Sequence, residues 1–380
     1  MLKFLFFFII LTVLIFLYLE KKYNINTKEF FYQKKNILFT RCNDYAIGDI
    51  MRNIFSKYNI TKDSCDTFST SCKNWDIYLP CGYNNVENEL NQINISHNNQ
   101  IIFGISGCDS IVSKNNIWYL LNSKYGRIKA STLMPNTYII DNDSDMNLFR
   151  KEFNKNKKYI LKKNIQRQQG LKITNNINNI YNLTKDKEYR IIQEMLVNPY
   201  CVNGRKINIR VYMLVVCHNN QTKCYIYNDG FLYYTFNKYN PNSIEDKDNI
   251  TSGYVPRHVY KENPLTTQDF YKYLNKKGEN SQLLENNISL LFTNVMNAIN
   301  TSLCNLSKIK SNLTFQLFGA DIAPDENLNV HLIEINKGPD MSAKDERDRQ
   351  LKYNVIEDIF EKIGVISTNK NNNFKQIWNN

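Results

Sequence analysis

The sequence predicts an α+β protein in which long strands and amphipathic helices alternate around mixed sheets, and three observations predict it. "GRKINIRVYMLVVC" and "CYIYNDGFLYYTF", residues 204–217 and 224–236, are dense in β-branched and aromatic side chains. "SQLLENNISLLFTNVMNAINTSL", residues 281–303, repeats Leu, Ile and Phe at helical spacing. "LTFQLFGADIAPDENLNVHLIEIN", residues 313–336, sets two apolar runs around the turn-forming "APDENLN" and reads as a hairpin. Strands and helices interspersed in this way, with no internal repeat, indicate α+β architecture.

Taken in chain order, "FLFFFIILTVLIFLYL", residues 4–19, carries no charge and lies between Lys3 and Lys21-Lys22. Residues 1–22 are therefore expected to form a transmembrane anchor. The alternative is a cleaved signal peptide, which would end in small residues that "LYLEKKYN" lacks. Basic residues after the anchor favour a cytosolic body. Residues 23–35 read as a polar linker and 36–112 as a smaller N-terminal domain. In that domain "NILFT", "DIYLP" and "QIIFGIS" are strand-like, and Ile47, Ile50, Met51, Ile54 and Phe55 share one side of a helix. "SIVSKNNIWYLLNSKYG" is helical and ends at Gly126. "NTYII", "KYILKK" and "RIIQEML" are strands; Asp229-Gly230 suits a tight turn between the two β-rich runs. "RQLKYNVIEDIFEKIG" closes the fold as a helix, leaving 367–380 as a flexible tail.

Lys and Arg exceed Asp and Glu by 12. That excess favours acidic partners without choosing among phosphates, nucleic acid, anionic lipid and acidic peptide. No RNA-recognition signature or basic recognition helix occurs, so no nucleic acid is expected. Nine cysteines and four histidines include no Cys-x-x-Cys. Neither a zinc site nor a disulfide framework is indicated, and reduced thiols are expected.

The polar residues inside the strands are the candidates for chemistry. Strand period places Lys206, Asn208, Arg210 and Tyr212 on one face, either a solvated surface or a binding wall. Ile333 and Ile335 would face one way and Glu334 and Asn336 the other, with Asp321 on the partner strand. Three oxygen donors converging there would suit Mg²⁺. Upstream, Lys162 and Arg167 could reach phosphates, with a loop ending at Gly170 over them, although no P-loop occurs.

These segments resemble the tubulin-tyrosine ligase-like family of ATP-grasp amino acid ligases. "FQLFGADIAPDENLNVHLIEINKGP" is similar to its Phe-x-Leu-Phe-Gly-x-Asp hairpin ending in Leu-Glu-x-Asn. "IIQEMLVNPYCVNGRKINIRVYMLV" resembles its adenine hinge and Gly-Arg-Lys strand, and "YILKKNIQRQQGLKI" its phosphate strand and loop. "GCDSIVSKNNIWYLL" and "MPNTYII" resemble segments that precede that core. The resemblance implies an ATP-grasp fold with a nucleotide cleft between a central lobe, 113–194, and a C-terminal lobe, 195–366. It implies that Lys114, Lys162 and Arg167 touch ATP phosphates, and that Gln193, Glu194 and Leu196 border adenine. Lys206, Asn208 and Thr251 would contact the nucleotide, and Arg210 the phosphate or acceptor region. Asp321, Glu334 and Asn336 would hold Mg²⁺; Lys162, Arg210 and Glu334 would be catalytic.

The implied activity is an ATP- and Mg²⁺-dependent ligase that joins Glu, Gly or Tyr to a protein carboxylate through an acyl phosphate. Its partners would be a free amino acid and an acidic protein, for which the family's name suggests tubulin, with the chain acting as a membrane-anchored monomer. Departures sit at Asn208, where the family has Asp, at Asn228 for an Arg, and in "NITS", residues 249–252, for His-Leu-Thr-Asn. The phosphate loop also has Gln168 for a Gly. They leave open a catalytically inactive ATP-grasp protein that binds nucleotide or an acidic partner.

Overall fold

The computed structural model describes residues 36–42, 47–65, 67–165, 170–185 and 187–380. Among these residues no helix is long and apolar enough to cross a membrane. The anchor expected over 1–22 lies outside the described residues, so the transmembrane helix is withdrawn from the fold, and membrane-anchored localisation with it.

Two sheets carry the architecture. The larger contains β1 (Ile37–Thr40), β2 (Ile60–Lys62), β3 (Ile77–Tyr78) and β4 (Ile101–Phe103), all parallel to one another. A four-stranded antiparallel sheet follows from β5 (Thr137–Ile139), β6 (Tyr159–Lys163), β7 (Leu171–Thr174) and β8 (Tyr189–Glu194), in the order β5-β8-β6-β7. The chain then returns to the large sheet through β9 (Cys201–Val202), β10 (Arg205–His218), β11 (Gln221–Thr235) and β12 (Thr251–Ser252). β13 (Thr314–Pro324), β14 (Val330–Asn336) and β15 (Phe374–Asn379) complete it. Its spine runs β12-β11-β10-β13-β4-β3-β1-β2, so the long antiparallel strands continue directly into the parallel N-terminal ones.

β13 is buried along its whole length because each half has a different neighbour. Its start pairs with β4 and its end with β14, while β10 covers its other edge. The two faces of the sheet feed two cores. Ile207, Ile209, Val211, Met213 and Val215 of β10 pack on one side with the helix Ser281–Ile299. Tyr212 and Leu214 pack on the other with Val355, Ile359 and Phe360 of the helix Glu346–Lys362. Lys206, Asn208 and Arg210 share the face of Tyr212 but lie beyond that helix, where the strand borders an open cleft. One strand face is therefore a core at one end and a cleft wall at the other.

Several expectations are corrected. The β10–β11 turn is Asn219-Asn220, both with positive φ, while Asp229-Gly230 lies inside β11 at a bulge. Asn tolerates the left-handed region that such a two-residue turn requires. Gly230 is needed for another reason: a Cβ there would stand 2.0 Å from the Arg210 carbonyl oxygen. Gly126 does break its helix, at φ 74°, but helical structure resumes and runs to Leu133. Residues 374–379 form β15 against β11, with Trp378 buried and its indole N–H donating to Asn297 at 2.8 Å, where a flexible tail was expected. Disulfides join Cys42–Cys81, Cys65–Cys72 and Cys217–Cys304, replacing the expected reduced thiols. Scattered spacing hid them, because each pair is made by tertiary contact.

Candidate active site

A cleft of about 2020 Å³ opens between the four-stranded sheet and the β10–β14 part of the large one. Lys114, Lys162, Gln193, Glu194, Leu196, Lys206, Asn208, Arg210, Thr251, Asp321, Glu334 and Asn336 all line it. Arg167 and Gln168 lie outside the described residues.

The acidic wall is built by register. Arg210 stands opposite Asp321, and Asp321 opposite Glu334, so three charged side chains occupy neighbouring rungs of β10, β13 and β14. Arg210 grips Asp321 with both ends of its fork, Nε to Oδ1 at 2.6 Å and Nη2 to Oδ2 at 3.1 Å. Its guanidinium also lies 5.2 Å from the Tyr233 ring centre. Gly319 supplies the room, since a Cβ there would meet Arg210 Nη1 at 3.0 Å and Pro339 at 2.9 Å.

β14 does not alternate simply. The register slips between Asp321 and Ile322, leaving Ile333 unmatched as a bulge. Leu332 and Ile335, three apart, both enter the core, while Ile333, Glu334 and Asn336 line the cleft. Ile333 therefore does not share a face with Ile335, as plain strand period required. Asn336 Nδ2 donates to Glu334 Oε1 at 3.1 Å and steadies that carboxylate.

The cationic wall comes from three separate elements. Lys114 opens the helix Lys114–Leu133; its amine lies 3.6 Å from Glu334 Oε2 and donates to the Ile165 carbonyl at 3.1 Å. Lys162, 5% exposed on β6, donates to Gln193 Oε1 at 2.7 Å. Gln193 Nε2 in turn donates to Thr137 Oγ1 at 2.8 Å, so both ends of this amide are used in holding the lysine. Lys206 donates to the Asn249 carbonyl at 3.1 Å, and Lys158 to the Asn249 side chain at 2.5 Å. Asn249, buried in the "NITS" segment, thus secures two amines. Glu194 pairs with Lys157 at 2.7 Å at the end of β8. Asn208 keeps a buried Oδ1 without a hydrogen-bond partner, facing the cleft.

Burial pushes the Lys162 amine down to about 8, with Lys114 and Lys206 adding repulsion against the pull of Glu334. Burial does the same to Lys206, also to about 8, and Lys158 adds to it. Burial raises the Asp321 carboxyl above its ordinary value despite Arg210. For Glu334 burial pushes upward too, but Lys114 and Lys162 outweigh it and hold the carboxylate ionised below the usual range. The donor set of Asp321, Glu334 and Asn336 is all hard oxygen, which fits Mg²⁺. The lysines opposite fit the phosphates of a nucleotide, and the Asn208 oxygen fits a hydroxyl or amine donor.

Sequence reasoning missed Ile333, Tyr233 and Asn249 as cleft residues. Tyr233 was findable as the cross-strand neighbour of Asn208 once the hairpin turn was placed at Asn219-Asn220. It missed also that Asn228 leaves the cleft, donating to Asn373 at 3.1 Å on the exposed side of β11.

A family model described as the tubulin-tyrosine ligase family matches residues 93–373. The chain is 31% identical over 180 residues to "Probable tubulin polyglutamylase TTLL9" of Rattus norvegicus, covering 45% of this chain and 38% of that one. It is 23% identical over 284 residues to "Tubulin monoglutamylase TTLL4" of Mus musculus, covering 69% of this chain and 23% of the relative. It is 29% identical over 162 residues to "Protein polyglycylase TTLL10" of Mus musculus, covering 40% and 22%. The matches thus span well under half the length of these curated relatives.

Proposed function

The chain belongs to the tubulin-tyrosine ligase family, and from that premise we propose that it is an ATP- and Mg²⁺-dependent ligase. It joins the amino group of Glu, Gly or Tyr to a carboxylate of an acidic protein, tubulin being the acceptor for which several relatives are named. The observation that carries the reading is the closure of charge across the cleft: Lys114 within 3.6 Å of Glu334, beside Lys162 and the Arg210–Asp321 pair.

In this reading the nucleotide lies between the two lobes of an ATP-grasp core, the four-stranded sheet and the β10–β14 region. Lys114 and Lys162 bind its phosphates. Gln193 holds Lys162 in position, while the chain from Glu194 to Leu196 borders the base with Ile333. Lys206, Asn208 and Thr251 meet the sugar side. Asp321, Glu334 and Asn336 hold Mg²⁺, which when bound offsets charge on the phosphate oxygens. The acceptor carboxylate takes the γ-phosphoryl group of ATP as ADP leaves, giving an acyl phosphate; the incoming amine attacks its carbonyl carbon, loses a proton and expels inorganic phosphate as the amide bond forms. Arg210 opposes the upward push of burial on Asp321 and steadies the charge that develops, an electrostatic and positioning role with no side-chain nucleophile. Arg41, Arg52, Lys344 and Arg349 line the rest of the cleft and suit an acidic acceptor segment.

The test is incubation of the chain with ATP, Mg²⁺, tubulin or another acidic protein, and Glu, Gly or Tyr, read by intact mass. A mass gain matching one amino acid, lost in Glu334→Gln, is expected. No gain with any acceptor, while ATP still binds, would favour the second reading, a nucleotide-holding protein without turnover. Asn228 motivates that alternative, since the family's arginine position here faces away from the cleft.

A further inference from the structure

Six of the nine cysteines meet in three pairs, with Cα separations of 5.3, 5.3 and 6.3 Å, all within disulfide reach. Cys108, Cys201 and Cys224 stay free, two of them fully buried. Cys65–Cys72 and Cys217–Cys304 both border the larger core, while Cys81 of the third pair lies on the cleft. Cys65–Cys72 closes a short loop, and Cys217–Cys304 ties the far end of β10 to the segment after the long helix.

Cys42–Cys81 is built into the cleft. Arg41, Cys81, Gly82 and Tyr83 line it, and Arg41 Nη2 donates to the Cys81 carbonyl at 3.2 Å. The backbone N–H groups of Cys81 and Gly82 donate to the buried Glu89 carboxylate at 2.8 and 3.3 Å. One buried carboxylate and one covalent bond therefore hold this wall. Tyr83 next to it presses on Gly338, where a Cβ would come within 2.3 Å of its ring, two residues beyond Asn336. Movement of the wall would reach both the cationic mouth and the acidic hairpin.

We propose that this chain works in its disulfide-bonded form, in an oxidising compartment, with the Cys42–Cys81 bond setting the cationic end of a cleft that receives an acidic protein segment of that compartment rather than cytosolic tubulin. Such bonds persist in oxidising compartments and are rare where glutathione keeps thiols reduced. Each forms as two thiols yield two protons and two electrons to the disulfide of a thiol–disulfide oxidoreductase, which leaves as a dithiol. The acceptor half of the proposal rests on the ligase reading; the disulfide half does not.

The experiment has two arms. In the first, cells of the source organism are lysed into N-ethylmaleimide, and the chain is reduced and labelled with a second alkylator for mass analysis. Six cysteines taking the second label are expected; nine taking the first would overturn the oxidised form. In the second arm, the full chain is titrated with a fluorescent Glu-rich peptide and, separately, with ATP. The double variant Cys42→Ser/Cys81→Ser should weaken peptide binding about tenfold, or ~1.4 kcal/mol, with ATP affinity unchanged. Dithiothreitol should do the same to the parent chain and nothing further to that variant. Cys65→Ser/Cys72→Ser should bind peptide like the parent. Equal peptide affinity for the parent, the reduced parent and the Cys42/Cys81 variant would overturn the acceptor half. Both arms read out even if no ligation is detected, so failure of the ligase reading stays distinguishable.

Discussion

Lys162, proposed above to bind phosphate, shows how such a residue works against the fold that contains it. Its amine is buried and falls from an ordinary value of 10.5 to about 8, so the folded chain releases protons that the unfolded chain keeps. Stability should therefore rise as pH climbs from about 8 toward 10.5, and the cost is fully present below that window. Phosphate binding needs the protonated amine and should weaken as pH rises through about 8, read as nucleotide affinity against pH. Lys162→Met should lower ATP affinity at least about tenfold while leaving the melting temperature unchanged or raised, because the desolvation of its buried charge outweighs the Gln193 hydrogen bond and the pull of Glu334. A melting temperature that falls with ATP affinity intact would contradict this. Arg210 is the opposite case. Arg210→Met strands the buried Asp321 carboxylate, and a loss of about 3–5 kcal/mol in denaturant unfolding is expected.

At the scale of elements, the bulge in β14 separates two neighbouring isoleucines by function. Ile335 is in the core and Ile333 on the cleft. Ile335→Ala should cost about 2–5 kcal/mol of stability. Ile333→Ala should cost under about 1 kcal/mol but weaken nucleotide binding. Equal losses of stability would show that the bulge is absent. The β10–β11 hairpin shows why turns were harder to read than strands. Asp229-Gly230 has the stronger turn composition, but Gly230 is there because the Arg210 backbone passes too close for a side chain. Composition reports that a glycine is required, and only the fold reports which constraint requires it.

For the whole molecule, the joining of distant segments decides stability. In the loop-entropy account, the Cys217–Cys304 bond, spanning 87 residues, contributes about 4–5 kcal/mol and the Cys65–Cys72 bond, spanning 7, about 2–3 kcal/mol. Serine pairs at each site, compared by denaturant unfolding, should differ in that order. Deleting residues 367–380 should lower the melting temperature and promote association, because it bares the edge of β11 and the pocket of Trp378.

The local periods of this sequence determined most of the strands and helices, and the order of its charged motifs indicated the family, since both are written in short-range spacing. Periodicity also placed Lys206, Asn208 and Arg210 on one face, but left open whether that face met solvent or a ligand. The tertiary structure set this stretch on the wall of the cleft, because the helix Glu346–Lys362 covers the face only from Tyr212 onward. It likewise decided the cysteine pairs, the C-terminal strand, the bulge at Ile333 and the approach of Lys114 to Glu334. Each of these depends on segments far apart in the chain, and contacts between such segments leave no period in the sequence.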